Sequence, residues 1–281
     1  MEKEIFSFCS VNFEVITPEK LYQHSDSFMS DAKLSDVKVK LIKADTLPVF
    51  AGKLLGCEGE KKAYETEDGI LRITTDICRS IPHIEMLYNP KDISKIKAYV
   101  REEDWEWATI EKYLWSGLCL NQLMLYFNTL FFHASYIDVN GEGILFTAPS
   151  QTGKSTQANL WCEHRNAKII NGDKAAVRLG SMATVNSIPF SGTSGICENK
   201  TLPLKAIVYL SQAPENRVER MGVKNAVEAL CPNVFADKLV SGEWSKTLNL
   251  ILDLVSSVPI YHLACTPDVR AVEILEKELY K

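Results

Sequence analysis

Gly153-Lys154-Ser155-Thr156 is the stretch whose residue types could do chemistry on an anion. Lysine brings a cation, serine a hydroxyl for a hard metal ion, and glycine a backbone free to turn. The run before it, Gly143-Ile144-Leu145-Phe146-Thr147, is short and apolar and suits a buried strand. Residues 153 to 163 suit a helix. A strand that enters a loop and leaves as a helix aims backbone N–H groups at one point, where phosphate oxygens bind. On this reading Ser150, Gln151, Thr152, Gly153, Lys154, Ser155 and Thr156 hold the phosphates of a bound ligand. Lys154 neutralises the terminal phosphates, and Ser155 ligates Mg²⁺. The position that usually carries the first glycine of such a loop is Ala148. The loop therefore requires negative φ there. The plainer alternative is a structural turn.

Asp173 follows Lys154 by 19 residues, room for one helix, a turn and the short strand Lys168-Ile169-Ile170. A carboxylate at that strand's end falls beside the loop, as a Mg²⁺ ligand, a base, or both. The alternative is a turn aspartate after Gly172. His133 precedes the Asn140-Gly141 hairpin signal that feeds the loop strand. Its imidazole could donate a hydrogen bond or assist proton transfer, or it is a core histidine between Phe132 and Ala134. Ser191, Thr193 and Ser194, between Gly192 and Gly195, offer hydroxyls or a plain polar turn. Glu198 is a weaker metal candidate and suits a solvated loop. Arg217 and Arg220 could supply charge, but Glu215 and Glu219 make surface ion pairs the simpler reading. His24, His83 and His262 have no metal-ligand spacing.

The elements that must position these groups form a mixed pattern. Residues 1 to about 100 read as short strands, among them 5–16, 37–42, 70–74 and 96–100. A long helix is predicted over 103–128, from apolar residues at helical spacing. Strands follow at 131–139, 143–147, 168–170, 175–179, 183–188, 204–210 and 259–264. Helices are predicted at 153–163, 223–230, 244–256 and 268–280. Hairpins interleaved with helices imply a mixed rather than purely parallel sheet.

The 281 residues carry 46% apolar and 24% charged side chains and a net charge of −5. That composition excludes disorder as the main state and lacks the basic excess of a nucleic-acid binder. The eight cysteines contain no Cys-x-x-Cys pair and suit reduced, buried thiols. Residues 113–137 contain no Asp, Glu, Lys or Arg. Their internal polar residues and missing basic flank favour a buried helix and strand over a membrane span. The acidic start Met1-Glu2-Lys3-Glu4 is no secretory signal, so a cytoplasmic setting is expected.

Gly-Lys-Ser-Thr, one helix, an apolar strand and an Asp resemble the HPr kinase/phosphorylase family. Phe132-His133-Ala134-Ser135, the hairpin through Asn140-Gly141-Glu142-Gly143, and Ile188-Pro189-Phe190-Ser191-Gly192-Thr193-Ser194-Gly195 add to the likeness. The resemblance covers about 130–265. It implies an α/β fold with a mixed β-sheet P-loop core of the phosphoenolpyruvate-carboxykinase/HPr-kinase C-terminal type over 105–281. A strand-rich N-terminal region fills 1–104. It further implies an ATP- and Mg²⁺-dependent kinase acting on a hydroxyl, such as a serine of a protein or peptide. Asp173, His133 and Lys154 are the catalytic candidates, and Ser155 and Asp173 the metal candidates. Where the family has two adjacent acids, one for proton transfer and one for metal, this chain has Gly172-Asp173, which leaves Asp173 as base, metal ligand or both. A small-molecule kinase and a nucleotide-binding regulator without transferase activity are the alternatives. Oligomers occur in that family; neither a nucleic acid nor a membrane partner is expected. A GTPase would need a base-reading Asn-Lys-x-Asp, and Asn199-Lys200-Thr201-Leu202 lacks the acid.

Overall fold

A computed structural model of the chain describes residues 1–21, 26–76, 81–189 and 195–281, with backbone alone at 75, 76, 81 and 82. The expected roles of Ser191, Thr193, Ser194 and His24 lie outside the described residues. The chain forms two compact units. Unit 1 holds residues 1–127 together with 237–245; unit 2 holds 128–236 and 246–281.

Unit 1 is built on an eight-stranded sheet. Its strands are β1 (Glu2–Phe8), β2 (Val11–Thr17), β3 (Val37–Ala44), β4 (Lys53–Glu58), β5 (Lys61–Thr66), β6 (Gly69–Asp76), β7 (Ile81–Asn89) and β8 (Asp92–Arg101). The order is β1-β2-β3-β8-β7-β6-β5-β4, with β3 parallel to both neighbours. The single strand expected over 5–16 is in fact a hairpin. Cys9 and Ser10 both take positive φ, 52° and 54°. That is the twist a two-residue turn needs, made without the usual Asn-Gly signal.

The long helix predicted over 103–128 is likewise divided. Its pieces are α1 (Trp105–Ala108), α2 (Glu111–Gly117), α3 (Leu120–Leu123) and a 3-10 turn at Met124–Phe127. Cys119, at φ 48°, ends one run and starts the next. These helices pack on the unit 1 sheet. Trp115 is fully buried and meets the rings of Phe6, Phe8 and Phe13 edge-on at 5.5, 5.1 and 5.4 Å. Gly117 is needed because a Cβ there would meet Ile84 Cδ1 at 2.3 Å. With these helices packed on its sheet, unit 1 runs to residue 127.

The returning segment 237–245 is tied to unit 1 by charge. Arg72 is 1% exposed; it donates to Asp237 at 2.8 Å and is also bonded to Glu243. Tyr88 bonds Glu243 too, and Tyr126 Oη reaches it at 3.1 Å. Removing one member of a buried ionic cluster strands the others. Arg72→Met should therefore cost about 3–5 kcal/mol of stability. Urea unfolding checks this; a loss below about 1 kcal/mol would show the cluster to be incidental.

Unit 2 contains β9 (Thr129–Val139), β10 (Glu142–Thr147), α4 (Lys154–Arg165), β11 (Lys168–Asn171), β12 (Lys174–Arg178), β13 (Thr184–Asn186), β14 (Thr201–Gln212), β15 (Arg217–Arg220) and α5 (Val223–Leu230). α6 (Ser241–Ser257) starts in unit 1 and continues into unit 2, followed by β16 (Ile260–Cys265) and α7 (Val269–Leu279). The sheet is mixed. β10 lies between β9, antiparallel, and β14, parallel; β14 is also parallel to β16. The Asn140-Gly141 turn, at φ 52° and 88°, joins β9 to β10 as its sequence predicts. A core of Ile144, Phe146, Trp161, Val208, Leu263 and Leu275 backs the sheet with α4 and α7. No helix among the described residues is long and apolar enough to cross a membrane.

Candidate functional site

β10 ends at Thr147, and the chain then turns through 148–153 into α4. Ala148 is fully buried in the sheet core and is not among the residues with positive φ. The missing glycine is thus tolerated, and the left-handed positions fall instead on Gln151 (64°) and Gly153 (119°). Thr152 Oγ1 donates to Pro149 O at 2.9 Å and closes the loop on itself. Lys154 is 7% exposed, and its Nζ donates to Ala148 O at 3.0 Å and Pro149 O at 3.3 Å. Burial lowers its pKa, while the Asp173 charge opposes that shift. Ser150, Gln151, Ser155 and Thr156 are exposed. Helix α4 has no acidic residue in its first turn and His164 and Arg165 in its last. Its positive end is left for an anion and its negative end is complemented.

Asp173 is placed by a break in the ladder. β11 and β12 both pair with β9, and Gly172-Asp173 is the step between them. The fully buried Asn171 shapes the step: its Oδ1 accepts from the N–H of Asp173 at 3.1 Å and of Lys174 at 3.0 Å. Across the step, Ala134 N–H donates to Asp173 O at 3.0 Å, and Ser135 Oγ to Gly172 O at 2.8 Å. Such an irregularity re-aims a side chain that a regular strand would point elsewhere. The Asp173 carboxylate consequently lies 3.2 Å from His133 Nε2, both side chains being about one-third exposed at 30% and 28%.

His133, Lys154, Ser155 and Asp173 line one open cleft of about 440 Å³, together with Ser150 and Gln151. Thr147 Oγ1 donates to His133 O at 2.9 Å and ties the start of the loop to the histidine's strand. Burial and then the Lys154 charge hold the His133 imidazole below its ordinary pKa, against the pull of Asp173. A neutral imidazole can accept a proton; a protonated one cannot. Among the described residues, no three His, Cys, Asp or Glu side chains converge on a metal position. A cation here would draw on Ser155, Asp173 and the oxygens of its own ligand.

Other candidates lie elsewhere. Glu198 pairs with Lys168 at 2.5 Å. Arg217 is 79% exposed on strand β15 and pairs with Glu219 at 3.7 Å, as the surface reading predicts. His83 bonds Glu85 and His262 bonds Ser211, at 3.1 and 2.8 Å. The structure also adds two neighbours that the motif did not mark. Lys174 is the direct cross-strand partner of His133. The Phe235 ring lies 6.1 Å from that of His133 between centres, tilted by 41°, and its centre is 5.5 Å from Lys174 Nζ. Phe235 arrives from a distant stretch of chain through its N–H to Phe131 O, at 2.8 Å.

The family model described as "SynChlorMet cassette protein ScmC" matches residues 101–280. The chain belongs to the ScmC family. Its family-matched region contains the whole of the cleft described above. No curated protein matches this ScmC family member. Among solved structures it matches the Hpr(Ser) kinase/phosphatase from Coxiella burnetii at 12% identity and a TM-score of 0.30. That match covers 53% of this chain and 87% of the other.

Proposed function

We propose that this protein is an ATP- and Mg²⁺-dependent phosphotransferase that moves the terminal phosphoryl group to a hydroxyl, a serine of a protein or peptide. The observation that carries the reading is the His133–Asp173 pair, 3.2 Å apart and sharing one cleft with the 150–156 loop. Phosphoryl transfer asks the protein for positioning and charge more than for covalent chemistry. The loop N–H groups and the start of α4 receive the phosphates. Lys154, now bonded to its own loop carbonyls, turns its ammonium to their oxygens. The Ser155 hydroxyl and the Asp173 carboxylate are hard oxygen donors and fit Mg²⁺. When bound, that ion would supply neutralisation of phosphate charge. The pair of Asp173 and neutral His133 takes the proton from the acceptor hydroxyl.

The test is transfer of label from γ-labelled ATP, with and without Mg²⁺, to a panel of serine peptides and hydroxyl metabolites. Mg²⁺-dependent labelling of a peptide is the expected result. Labelling of metabolites alone would move the acceptor to a small molecule. ATP binding with no acceptor labelled would leave a nucleotide-binding regulator and end the transferase reading.

A further inference from the structure

A second cavity, of about 400 Å³, borders the same loop and shares Gln151, Gly153 and Thr156 with the first. It lies at the C-terminal ends of β14, the parallel neighbour of β10, and β16, the parallel neighbour of β14. Open α/β sheets take ligands at such ends, and the volume is that of a small-molecule site. Apolar Leu210 and Ala213 line it together with Gln157 and Gln212. Gln212 Nε2 reaches the loop at Gln151 O, 3.4 Å away. A ligand whose phosphates lie on the loop therefore has its other end beside this cavity.

Gln157 is the unusual member. It sits on the first turns of α4, one residue past Thr156, and is 2% exposed. Its Nε2 donates to Cys265 Sγ at 3.3 Å, which occupies the nitrogen and leaves the amide oxygen. That oxygen, Oε1, is buried and has no hydrogen-bond partner. An acceptor left unmet in this way costs about 1–3 kcal/mol. Such a group is met by a ligand, an ion or an ordered water. The last torsion of a glutamine is softly held, so a modest turn brings Oε1 to the cavity that the side chain already borders.

We propose that Gln157 reads the base of the nucleotide, its Oε1 accepting from the exocyclic 6-amino group of adenine. A 6-oxo purine would set acceptor against acceptor at the same place and be rejected. This rests on the ATP reading above and adds to it the residue that chooses the base. The orientation held by Cys265 decides the sign of the choice. With the amide reversed, Nε2 would face the cavity and favour guanine.

Calorimetry on the full chain tests it, with Mg²⁺ and three probes: ATP, GTP and inorganic tripolyphosphate. ATP should bind roughly tenfold tighter than GTP or more, the equivalent of one hydrogen bond left unmade. Gln157→Leu should bring ATP and GTP together without changing tripolyphosphate, which also reports that the variant is folded. Gln157→Glu keeps an acceptor and should retain the preference for ATP. Equal or tighter binding of GTP to the wild type would overturn the inference, as would an unchanged ratio in Gln157→Leu. Tripolyphosphate binding as tightly as ATP would end the base reading and leave the phosphate loop standing. Binding of neither would end both.

Discussion

Replacing Lys154 by methionine should remove most of the stabilisation that Mg²⁺–ATP gives the protein. The side chain is buried against its own loop, with Nζ on two backbone carbonyls. Methionine keeps the stem and deletes the charge. A charge-assisted hydrogen bond contributes about 1.5–3 kcal/mol, so affinity should fall roughly 10- to 100-fold. At ATP one hundred times the wild-type Kd, binding stabilises the native state by about 2.7 kcal/mol. A variant bound one hundred times more weakly keeps only about 0.4 kcal/mol under those conditions. For a protein of this size, the wild type should gain roughly 5–10 °C in Tm and the variant about 1 °C. The unliganded Tm is the control, since the two carbonyls lose a donor. Equal ATP-induced shifts in the two proteins would show that the loop does not hold phosphates.

Asp173→Asn should leave ATP binding nearly intact and lower kcat by about 10²–10⁴, the range set by loss of a positioned acid–base group. Asparagine keeps the size of the side chain and can still meet His133, so the fold around Asn171 should be undisturbed. The dependence on Mg²⁺ then divides the two roles of the carboxylate. If Asp173 is a metal ligand, the variant needs more Mg²⁺ for half-maximal rate. If it acts only with His133 as base, the Mg²⁺ requirement stays and the rate falls at every concentration. A variant within about threefold of wild type would remove Asp173 from the chemistry.

The two sites differ in how far they could be read in advance. Asn140-Gly141, the apolar run to Thr147 and the glycine at 153 are local signals, and the strand–loop–helix they imply is present at β10 and α4. The carboxylate of Asp173 could be placed near the loop by chain length alone. Its aim toward His133 depends on Asn171, whose buried amide shapes a ladder step that no spacing rule describes. Phe235 comes from another part of the chain by one backbone bond, and a sequence gives no sign of that. Gln157 reads as an ordinary polar helix residue until its burial is known. In unit 1 the strand expected over 5–16 and the helix expected over 103–128 are broken by one cause. Cys9, Ser10 and Cys119 take positive φ without being glycine or asparagine. Strand β4 is almost wholly exposed and so shows no alternation to detect. The division at 127 and the return of 237–245 are set by packing and by Arg72, not by linker composition.

That return has a consequence for synthesis on the ribosome. Arg72, Tyr88 and Tyr126 are made early, but Asp237 and Glu243 follow only after the 109 residues from 128 to 236. At about 5–20 residues per second, the first unit waits roughly 5–20 s for its last piece. Until then its guanidinium lacks the two carboxylates it meets in the finished fold. The amino-terminal unit therefore cannot complete its interior until most of the second unit has been made, and a nascent chain halted near residue 200 should be more protease-sensitive in 1–127 than the finished protein.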